Sequence, residues 1–143
     1  MKGKYFLDTN IFVYSFDDKE PEKKSKSEEL INTALKEHKG IISYQVIQEF
    51  LNVATGKFEV PISIQDCHSY INFVLEPICE VFSTIDLFRQ GLEIMSRWKY
   101  SFYDSLIIAA ALNAGCKTLY SEDLQTGQEI LGMEIVNPYK SKP

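Results

Sequence analysis

Short apolar segments with the length of buried strands alternate along this chain with longer segments of helical periodicity. The first example pairs residues 4–7, an apolar run, with residues 20–38, where Leu30, Ile31 and Ala34 fall on one stripe. This alternation favours a parallel sheet, because each parallel connection needs a crossover as long as a helix. The predicted strands are residues 4–7, 40–43, 78–83, 117–121 and 133–137, and the predicted helices are residues 20–38, 44–57, 64–75, 87–98 and 104–114.

Turn residues and chain length fit one α/β domain with helices on both faces of its sheet. Gly40 is expected to end the helix of residues 20–38, and Ser63 to cap the helix that follows Pro61. The chain has 143 residues, the size of one domain, and contains no repeat or internal linker. We therefore expect a single domain over residues 1–143, with a frayed tail at residues 138–143.

The composition argues against several classes of protein. Cys67, Cys79 and Cys116 lie far apart and, with only two histidines in the chain, form neither a disulfide framework nor a zinc motif. The net charge of −5 argues against a protein that coats nucleic acid, but not against an enzyme that holds RNA over a metal ion. The longest uncharged apolar run is too short to span a bilayer, and an early acid leaves no room for a signal peptide. We therefore expect a cytoplasmic protein.

Four acidic residues are expected near the carboxyl edge of the predicted sheet, where proteins of this class bind ligands. Asp8 ends the first predicted strand, and Asp123 follows a later strand by two residues. Asp104 opens a strongly apolar helix, and Glu49 is the only acid between residues 40 and 58. Three of these acids thus come to one edge, and Glu49 lies within reach of it.

Each acid also has an interpretation without any chemistry. Asp8 would form an Asx-turn, and Asp104 would be an ordinary N-cap. Glu49 would lie on a polar helix face, and Asp123 would be normal loop polarity. Convergence explains more, because without these four acids the rest of the chain is nearly neutral. Clustered carboxylates need a compensating cation, and oxygen ligands without thiols or imidazoles predict Mg²⁺ or Mn²⁺.

Four motifs carry these acids in order along the chain. They are LDTNIFVY with Asp8, YQVIQEFLNVAT with Glu49, SFYDSLIIAAAL with Asp104 and LYSEDLQTGQ with Asp123. Together with the segments between them they cover nearly the whole chain, and they resemble those of PIN-domain nucleases, in particular VapC-type toxins of toxin–antitoxin pairs. The resemblance implies a three-layer α/β/α sandwich around a mainly parallel sheet, an acidic pocket that holds Mg²⁺ or Mn²⁺, and single-stranded RNA as substrate.

The resemblance also implies a role for each acid. Asp8, Glu49, Asp104 and Asp123 would form the catalytic set, with Asp8, Asp104 and Asp123 as metal ligands. The expected reaction is metal-assisted hydrolysis of a phosphodiester, in which the ion activates a water and neutralises charge on the leaving oxygen.

Polar residues beside the acids are expected to support them. Thr9 and Asn10 match the polar residues that follow the first acid in the family, and Ser121 matches a hydroxyl position near the last. Ser105 departs from the small apolar residue expected after the third acid. Glu122, next to the last acid, leaves open which of the two reaches the metal.

The segment RWKYSFY mixes cations with aromatic residues just before Asp104. Arg97, Lys99 and Tyr103 are therefore candidates for RNA contacts, because cations bind phosphates and aromatic rings stack on bases. The alternative is a helix end whose aromatic residues pack inward.

The function expected from these features is a metal-dependent ribonuclease, the toxin of a toxin–antitoxin system. Its partners would be RNA, an antitoxin with a basic inhibitory segment, and a second copy of the chain in a homodimer. The alternative is a non-catalytic PIN-like module that binds RNA or protein, and such a module would tolerate the loss of Asp104. A phosphoaspartate hydrolase or a receiver domain fits poorly, because Asp8 lacks the neighbouring acid that either would need.

Overall fold

The computed structural model describes residues 3–140, in which strands and helices alternate as the sequence predicts. The strands are β1 (Tyr5–Leu7), β2 (Gly40–Ser43), β3 (Cys79–Val81), β4 (Thr118–Tyr120), β5 (Glu129–Ile130) and β6 (Met133–Val136). The helices are α1 (Thr9–Tyr14), α2 (Pro21–Glu37), α3 (Tyr44–Gly56), α4 (Ile64–Tyr70), α5 (Glu76–Ile78), α6 (Ile85–Trp98) and α7 (Phe102–Asn113), with a π-helical turn (Ile71–Leu75) between α4 and α5.

The strands form one sheet in the order β3-β2-β1-β4-β6-β5. Neighbouring strands are parallel except for β5 and β6, which are antiparallel. In the central strand β1, Phe6 lies beside Ile41 of β2 and Leu119 of β4. The predicted mainly parallel sheet is confirmed, and the carboxyl ends of β1, β2 and β4 meet at one edge.

Helices cover both faces of the sheet. Phe6 and Leu7 are consecutive in β1 and point to opposite faces, yet neither is exposed to solvent. Ile41 and Ile42 repeat this pattern in β2. Full burial on both faces is typical of parallel sheets between two helical layers, so the expected α/β/α arrangement is confirmed.

Two short elements were not predicted from the sequence. Helix α1 has six residues and begins directly after Asp8, where turn chemistry was the alternative. Strand β5 has only two residues and pairs with β6 through Glu129 and Glu134. Both elements are too short to show a helical or strand period in the sequence.

Two helix ends also differ from the prediction. Helix α7 begins at Phe102, and its cap is Ser101, whose hydroxyl accepts a hydrogen bond from the Asp104 amide. Asp104 is therefore in the first helical turn and is not an N-cap. Helix α2 ends at Glu37, and its C-cap is His38, in the left-handed conformation, rather than Gly40. Gly40 is the first residue of β2, as the predicted strand at residues 40–43 has it.

Three further predictions concerned the tail of the chain, the cap of α4 and the length of the apolar segments. Residues 141–143 of the predicted frayed tail lie outside the described residues, whereas the Tyr139 hydroxyl is 2.6 Å from the Ser27 hydroxyl of α2. Ser63 caps α4 as predicted, since its hydroxyl accepts from the Asp66 amide. Within residues 3–140, no helix has the length and apolar character that crossing a membrane requires.

Candidate active site

Asp8 lies at the carboxyl end of the central strand β1. It is only 7% exposed, and its extended backbone places it as the N-cap of α1. Its Oδ1 accepts a 2.7 Å hydrogen bond from the Thr9 amide, and its Oδ2 accepts one of 2.7 Å from the Ser121 hydroxyl. Capping and site formation, the two interpretations of LDTN, thus coincide in this residue.

The electrostatic environment of Asp8 disfavours its negative charge. Its pKa is raised to about 6, mainly by burial and to a smaller extent by the negative charges of Glu49 and Asp123. The hydrogen bonds from Ser121 and Thr9 act in the opposite direction, because they stabilise the carboxylate. Asp8 is therefore a buried acid whose ionised form a nearby cation would stabilise.

Glu49 reaches the same edge from α3, where its side chain is half-buried. Its Oε1 accepts a 2.6 Å hydrogen bond from the Thr9 hydroxyl, and its Oε2 accepts one of 3.1 Å from the Gln45 amide. The Gln45 amide also donates to the Tyr103 carbonyl oxygen at 3.1 Å. Gln45 therefore connects Glu49 to the residue that precedes Asp104.

Asp123 closes the site from the loop after β4. Its Oδ2 accepts a 2.8 Å hydrogen bond from the Asn10 side chain, and its amide donates to the Ser121 hydroxyl. Although the residue is exposed, protein atoms crowd its carboxylate, and this desolvation raises its pKa. The negative charges of Asp104, Glu122 and Glu49 also contribute to the rise, so all three lie within electrostatic range of Asp123.

Asp104 faces this cluster from the first turn of α7. The partial positive charge of a helix N-terminus favours an acid in this position. Its carboxylate accepts no hydrogen bond and forms no ion pair with any residue between 3 and 140. It is therefore the member of the cluster with the most freedom to contact a ligand.

Glu122 points away from the cluster. It accepts hydrogen bonds of 2.6 Å from the Lys23 ammonium group and 2.6 Å from the Tyr14 hydroxyl. Burial alone would raise the pKa of Glu122, but the hydrogen bonds from Lys23 and Tyr14 lower it overall. Glu122 is thus engaged with α1 and α2, and Asp123 is the acid that joins the cluster.

The donor chemistry of the cluster fits a hard divalent cation. Asp8, Glu49, Asp104 and Asp123 offer only oxygen atoms, and none of the ion pairs in residues 3–140 involves them. In the same part of the chain, no group of three or more acidic, histidine or cysteine side chains is arranged as a metal site. Hydrogen bonds donated by Thr9, Asn10 and Ser121 hold several of the carboxylate oxygens.

Three of the four expected supporting residues contact the acids. Thr9, Asn10 and Ser121 donate to Glu49, Asp123 and Asp8, respectively. Ser105 is not part of this network. It is a fully buried residue of α7, and its hydroxyl has no hydrogen-bond partner among the described residues.

The residues proposed to contact RNA lie at the end of α6 and the start of α7. Arg97, Lys99 and Tyr103 are exposed, and the Arg97 guanidinium lies 4.4 Å from the centre of the Trp98 ring. The aromatic residues between them are partly buried against the core, as the alternative interpretation expected. Of these three residues, only Tyr103 is adjacent in sequence to an acid of the cluster, Asp104.

Two features of the site were missed in the sequence. Gln45 is one helical turn before Glu49, and this i, i+4 spacing was the available signal. Lys23 and Glu122 are 99 positions apart, so no local pattern could pair them.

Comparison with known proteins identifies the class to which this fold and its acidic edge belong. A profile of the PIN domain matches residues 5–126, and the chain belongs to the PIN domain family. No curated protein matches the chain.

Several solved structures share the fold. A toxin–antitoxin complex from Klebsiella pneumoniae matches with a TM-score of 0.67 and 15% identity, over 96% of this chain and 100% of the other. Mycobacterium tuberculosis VapC20, a Sarcin-Ricin loop cleaving toxin, matches with a TM-score of 0.58 and 19% identity, over 84% and 90%. VapBC2 from Rickettsia felis, bound to a DNA fragment from its promoter, matches with a TM-score of 0.62 and 19% identity, over 92% and 96%.

Proposed function

We propose that this protein is an endoribonuclease that depends on Mg²⁺ or Mn²⁺ and acts in the cytoplasm as the toxin of a toxin–antitoxin system. The observation that carries the proposal is the cluster of Asp8, Glu49, Asp104 and Asp123 at the carboxyl edge of the sheet, without an ion pair in the described part of the chain. The similar structures support it, since one is a toxin that cleaves the Sarcin-Ricin loop and others are toxin–antitoxin assemblies.

The proposed metal ligands are Asp8, Asp104 and Asp123. Glu49 adds a fourth negative charge to the pocket. A bound divalent cation would supply Lewis acidity to a water and to the phosphate. The protein's own contribution is orientation, because fixed ligands need no rearrangement when the substrate arrives. Ser121 and the Thr9 amide fix both oxygens of Asp8.

Hydrogen bonds hold three of the four acids, Asp8, Glu49 and Asp123. The Thr9 hydroxyl holds Glu49, and the neighbouring Asn10 side chain holds Asp123. Both donors are in the first turn of α1, so one short helix orients two acids from distant parts of the sequence. This explains why polar residues follow Asp8 at the point where a buried strand ends.

An antitoxin is the proposed protein partner. The acidic pocket would accept an Arg or Lys from a basic segment, because a guanidinium or ammonium group can replace the charge of the metal and donate hydrogen bonds to the carboxylates. Inhibition would then be competitive with the divalent cation. A purified basic peptide that inhibits cleavage less at high Mn²⁺ concentration would support this mode of inhibition.

A homodimer is also proposed, and the exposed face of α6 supports it. Ile85, Leu92 and Met95 lie on one stripe of this helix and are all exposed. Monomeric proteins rarely leave such a contiguous apolar stripe in water. Light scattering of the wild type and of Leu92→Glu tests this proposal, because a charge on the stripe should convert a dimer to a monomer.

The alternative function is a PIN-like binding module without catalysis. It would bind RNA or protein through the same surface, need no divalent ion and tolerate the loss of Asp104. The hydrogen-bonded carboxylates favour the enzyme, since a module would gain nothing from a buried, desolvated Asp8.

The first experiment is a calorimetric titration of the purified protein with Mn²⁺. The wild type should bind, and Asp104→Asn should weaken binding at least tenfold. The matched control is Asp86→Asn, because Asp86 is also an acid in the first turn of a long helix but lies outside the cluster and pairs with Arg89. Equal binding by all three proteins, or none by the wild type, would contradict the metal site.

The second experiment is cleavage of total cellular RNA with Mn²⁺ or Mg²⁺ present. The wild type and Asp86→Asn should produce discrete fragments, and Asp104→Asn should not. Metal binding without any cleavage of the RNA pool would favour the binding module.

A further inference from the structure

A cavity of about 310 Å³ lies beside the acidic cluster, and we propose that it binds one unpaired nucleobase of the RNA substrate. We call it the base pocket, and its lining includes Ser43, Gln45, Gln48, Phe88 and Tyr103. The inference rests on the proposed ribonuclease function and adds a site that would select the nucleotide next to the cleaved phosphodiester.

The base pocket shares a wall with the acidic cluster. The Gln45 side chain donates to Glu49 Oε2 and to the Tyr103 carbonyl oxygen, both at 3.1 Å. Tyr103 is followed directly by Asp104. A nucleotide whose phosphate lies at the acids would therefore have its base at the mouth of this cavity.

Aromatic groups stand at the mouth of the pocket. Tyr103 is 66% exposed and Phe88 is 38% exposed, which is high for large apolar rings. The centres of the Tyr103 and Phe102 rings lie 5.6 Å apart in an edge-on contact, so Phe102 packs against the Tyr103 ring. Exposed aromatic rings of this kind are the usual stacking platforms for the bases of single-stranded RNA.

The polar groups of the pocket suit the edge of a neutral base. No acidic or basic side chain is among the residues found to line it within residues 3–140, so it offers nothing to a phosphate. Gln48 carries an amide with two donors and an acceptor. Ser43 is 2% exposed, and its hydroxyl lacks a hydrogen-bond partner in the described part of the chain.

The size of the cavity limits its occupant. A volume of about 310 Å³ is at the lower end of the range for small-ligand sites. One base fits such a volume, whereas a folded peptide does not. The uncharged lining and the volume together favour a single flipped base over other parts of an RNA.

The test measures binding of fluorescein-labelled, single-stranded RNA hexamers by anisotropy, with Ca²⁺ in place of Mg²⁺ or Mn²⁺. Homopolymers of the four bases identify the preferred one. Tyr103→Ala should weaken binding of that hexamer about tenfold, the loss typical of one stacked base. Gln48→Ala should weaken it severalfold and reduce the difference between the four homopolymers. Phe73→Ala and Gln90→Ala are matched controls, because both side chains are exposed and lie outside the pocket, and they should bind as the wild type does.

An abasic nucleotide placed at each position of the hexamer then locates the contact. At one position the abasic nucleotide should weaken binding to the wild type about tenfold. At the same position it should not weaken binding to Tyr103→Ala. Losses that add at every position would overturn the base pocket. So would wild-type affinity for Tyr103→Ala, or failure of the wild type to bind any of the hexamers.

These results are separable from the proposed function. Mn²⁺ binding and cleavage with no effect of Tyr103→Ala would remove the base pocket and leave the ribonuclease in place. A position-specific loss in the wild type that Tyr103→Ala does not show, without Mn²⁺ binding by the wild type, would keep the base pocket and assign it to a non-catalytic RNA-binding module.

Discussion

The Ser121 hydroxyl donates a 2.7 Å hydrogen bond to Oδ2 of Asp8 and thereby joins the carboxyl ends of β4 and β1. The two strands are parallel neighbours with Leu7 beside Tyr120, so the residues that follow them meet. The bond also has an electrostatic effect, since it lowers the pKa of Asp8 against the rise that burial causes. Ser121 therefore helps to keep the central acid ionised.

Ser121→Ala should raise the pKa of Asp8 above its value of about 6, because the carboxylate loses a donor. A proton would then compete with Mn²⁺ for Asp8 at a higher pH. Calorimetric titrations from pH 5 to 8 should show Mn²⁺ affinity falling about tenfold per pH unit below the pKa of Asp8 in each protein. That decline should begin at a higher pH in Ser121→Ala. Ser96→Ala, an exposed serine on α6, is the control, and identical pH profiles for all three proteins would contradict the role of Ser121.

Asp8→Asn should stabilise the metal-free protein at pH 7. The pKa of Asp8 rises from 3.8 to about 6 on folding, mainly through burial. Below about pH 4 Asp8 is protonated in both the folded and the unfolded state, so its ionisation does not lower the free energy of unfolding. As the pH rises to about 6, the folded state loses the advantage of binding that proton, and ionised Asp8 then destabilises the fold by about 3 kcal/mol. In Asp8→Asn the uncharged amide side chain removes this loss of stability.

Urea denaturation should therefore give Asp8→Asn a larger free energy of unfolding than the wild type at pH 7, with a difference that shrinks towards zero near pH 4. The surface control Asp86→Asn should stay within about 0.5 kcal/mol of the wild type at both pH values. A less stable Asp8→Asn protein at pH 7 would show that the carboxylate is not an uncompensated charge. Saturating Mn²⁺ should stabilise the wild type and leave Asp8→Asn unchanged.

Lys23→Met should loosen the loop that carries Asp123. Lys23 holds Glu122 with a 2.6 Å ion pair, and its ammonium group is 4.7 Å from the centre of the Tyr14 ring. Without it, Glu122 loses its cation, and the loop that begins at Ser121 has fewer contacts with α2. Amide hydrogen exchange measured by mass spectrometry should accelerate in peptides that contain Asp123.

The control for that experiment is Lys26→Met, three residues further along α2. Lys26 pairs with Glu29 on its own helix, so its removal touches no loop. Equal exchange in the Asp123 peptides of Lys23→Met and the wild type would mean that other contacts hold the loop.

The extent to which the sequence predicted this molecule follows from the range of each interaction. The strands around Phe6 and Ile41 were predictable, because an uninterrupted apolar run between turn residues has few other uses in a soluble chain. The four acids could be placed at one edge, because parallel strands bring their carboxyl ends together. Helix α1 was missed because LDTN is equally good turn chemistry and six residues show no period.

Side-chain partners were the least predictable part of the site. Thr9 and Glu49 are 40 positions apart, and the bond between them depends on how α1 and α3 pack. Ser105 follows an acid in sequence, yet the direction of its side chain in α7 buries it away from the cluster. Sequence adjacency is therefore a weak guide to contact on a helix, where neighbouring side chains point about 100° apart.

Gly40 lies where α2 packs tightly against β2, with no room for a side chain. A Cβ atom at Gly40 would lie 2.3 Å from the Cβ of Ala34 and 2.9 Å from the Tyr5 ring. Ala34 cannot move aside by a side-chain rotation, since it has no flexible side chain and is fully buried in α2. Gly40→Ala must therefore push α2 off β2, at a cost of about 1–3 kcal/mol or more. Gly56→Ala is the control, because Gly56 ends α3 with open space where a Cβ would be, and alanine there should be neutral or slightly stabilising. Thermal unfolding followed by circular dichroism should give Gly40→Ala a Tm several degrees below that of the wild type, and Gly56→Ala a Tm equal to it or above it. Equal Tm values for Gly40→Ala and the wild type would mean that α2 can move away from the sheet at no cost.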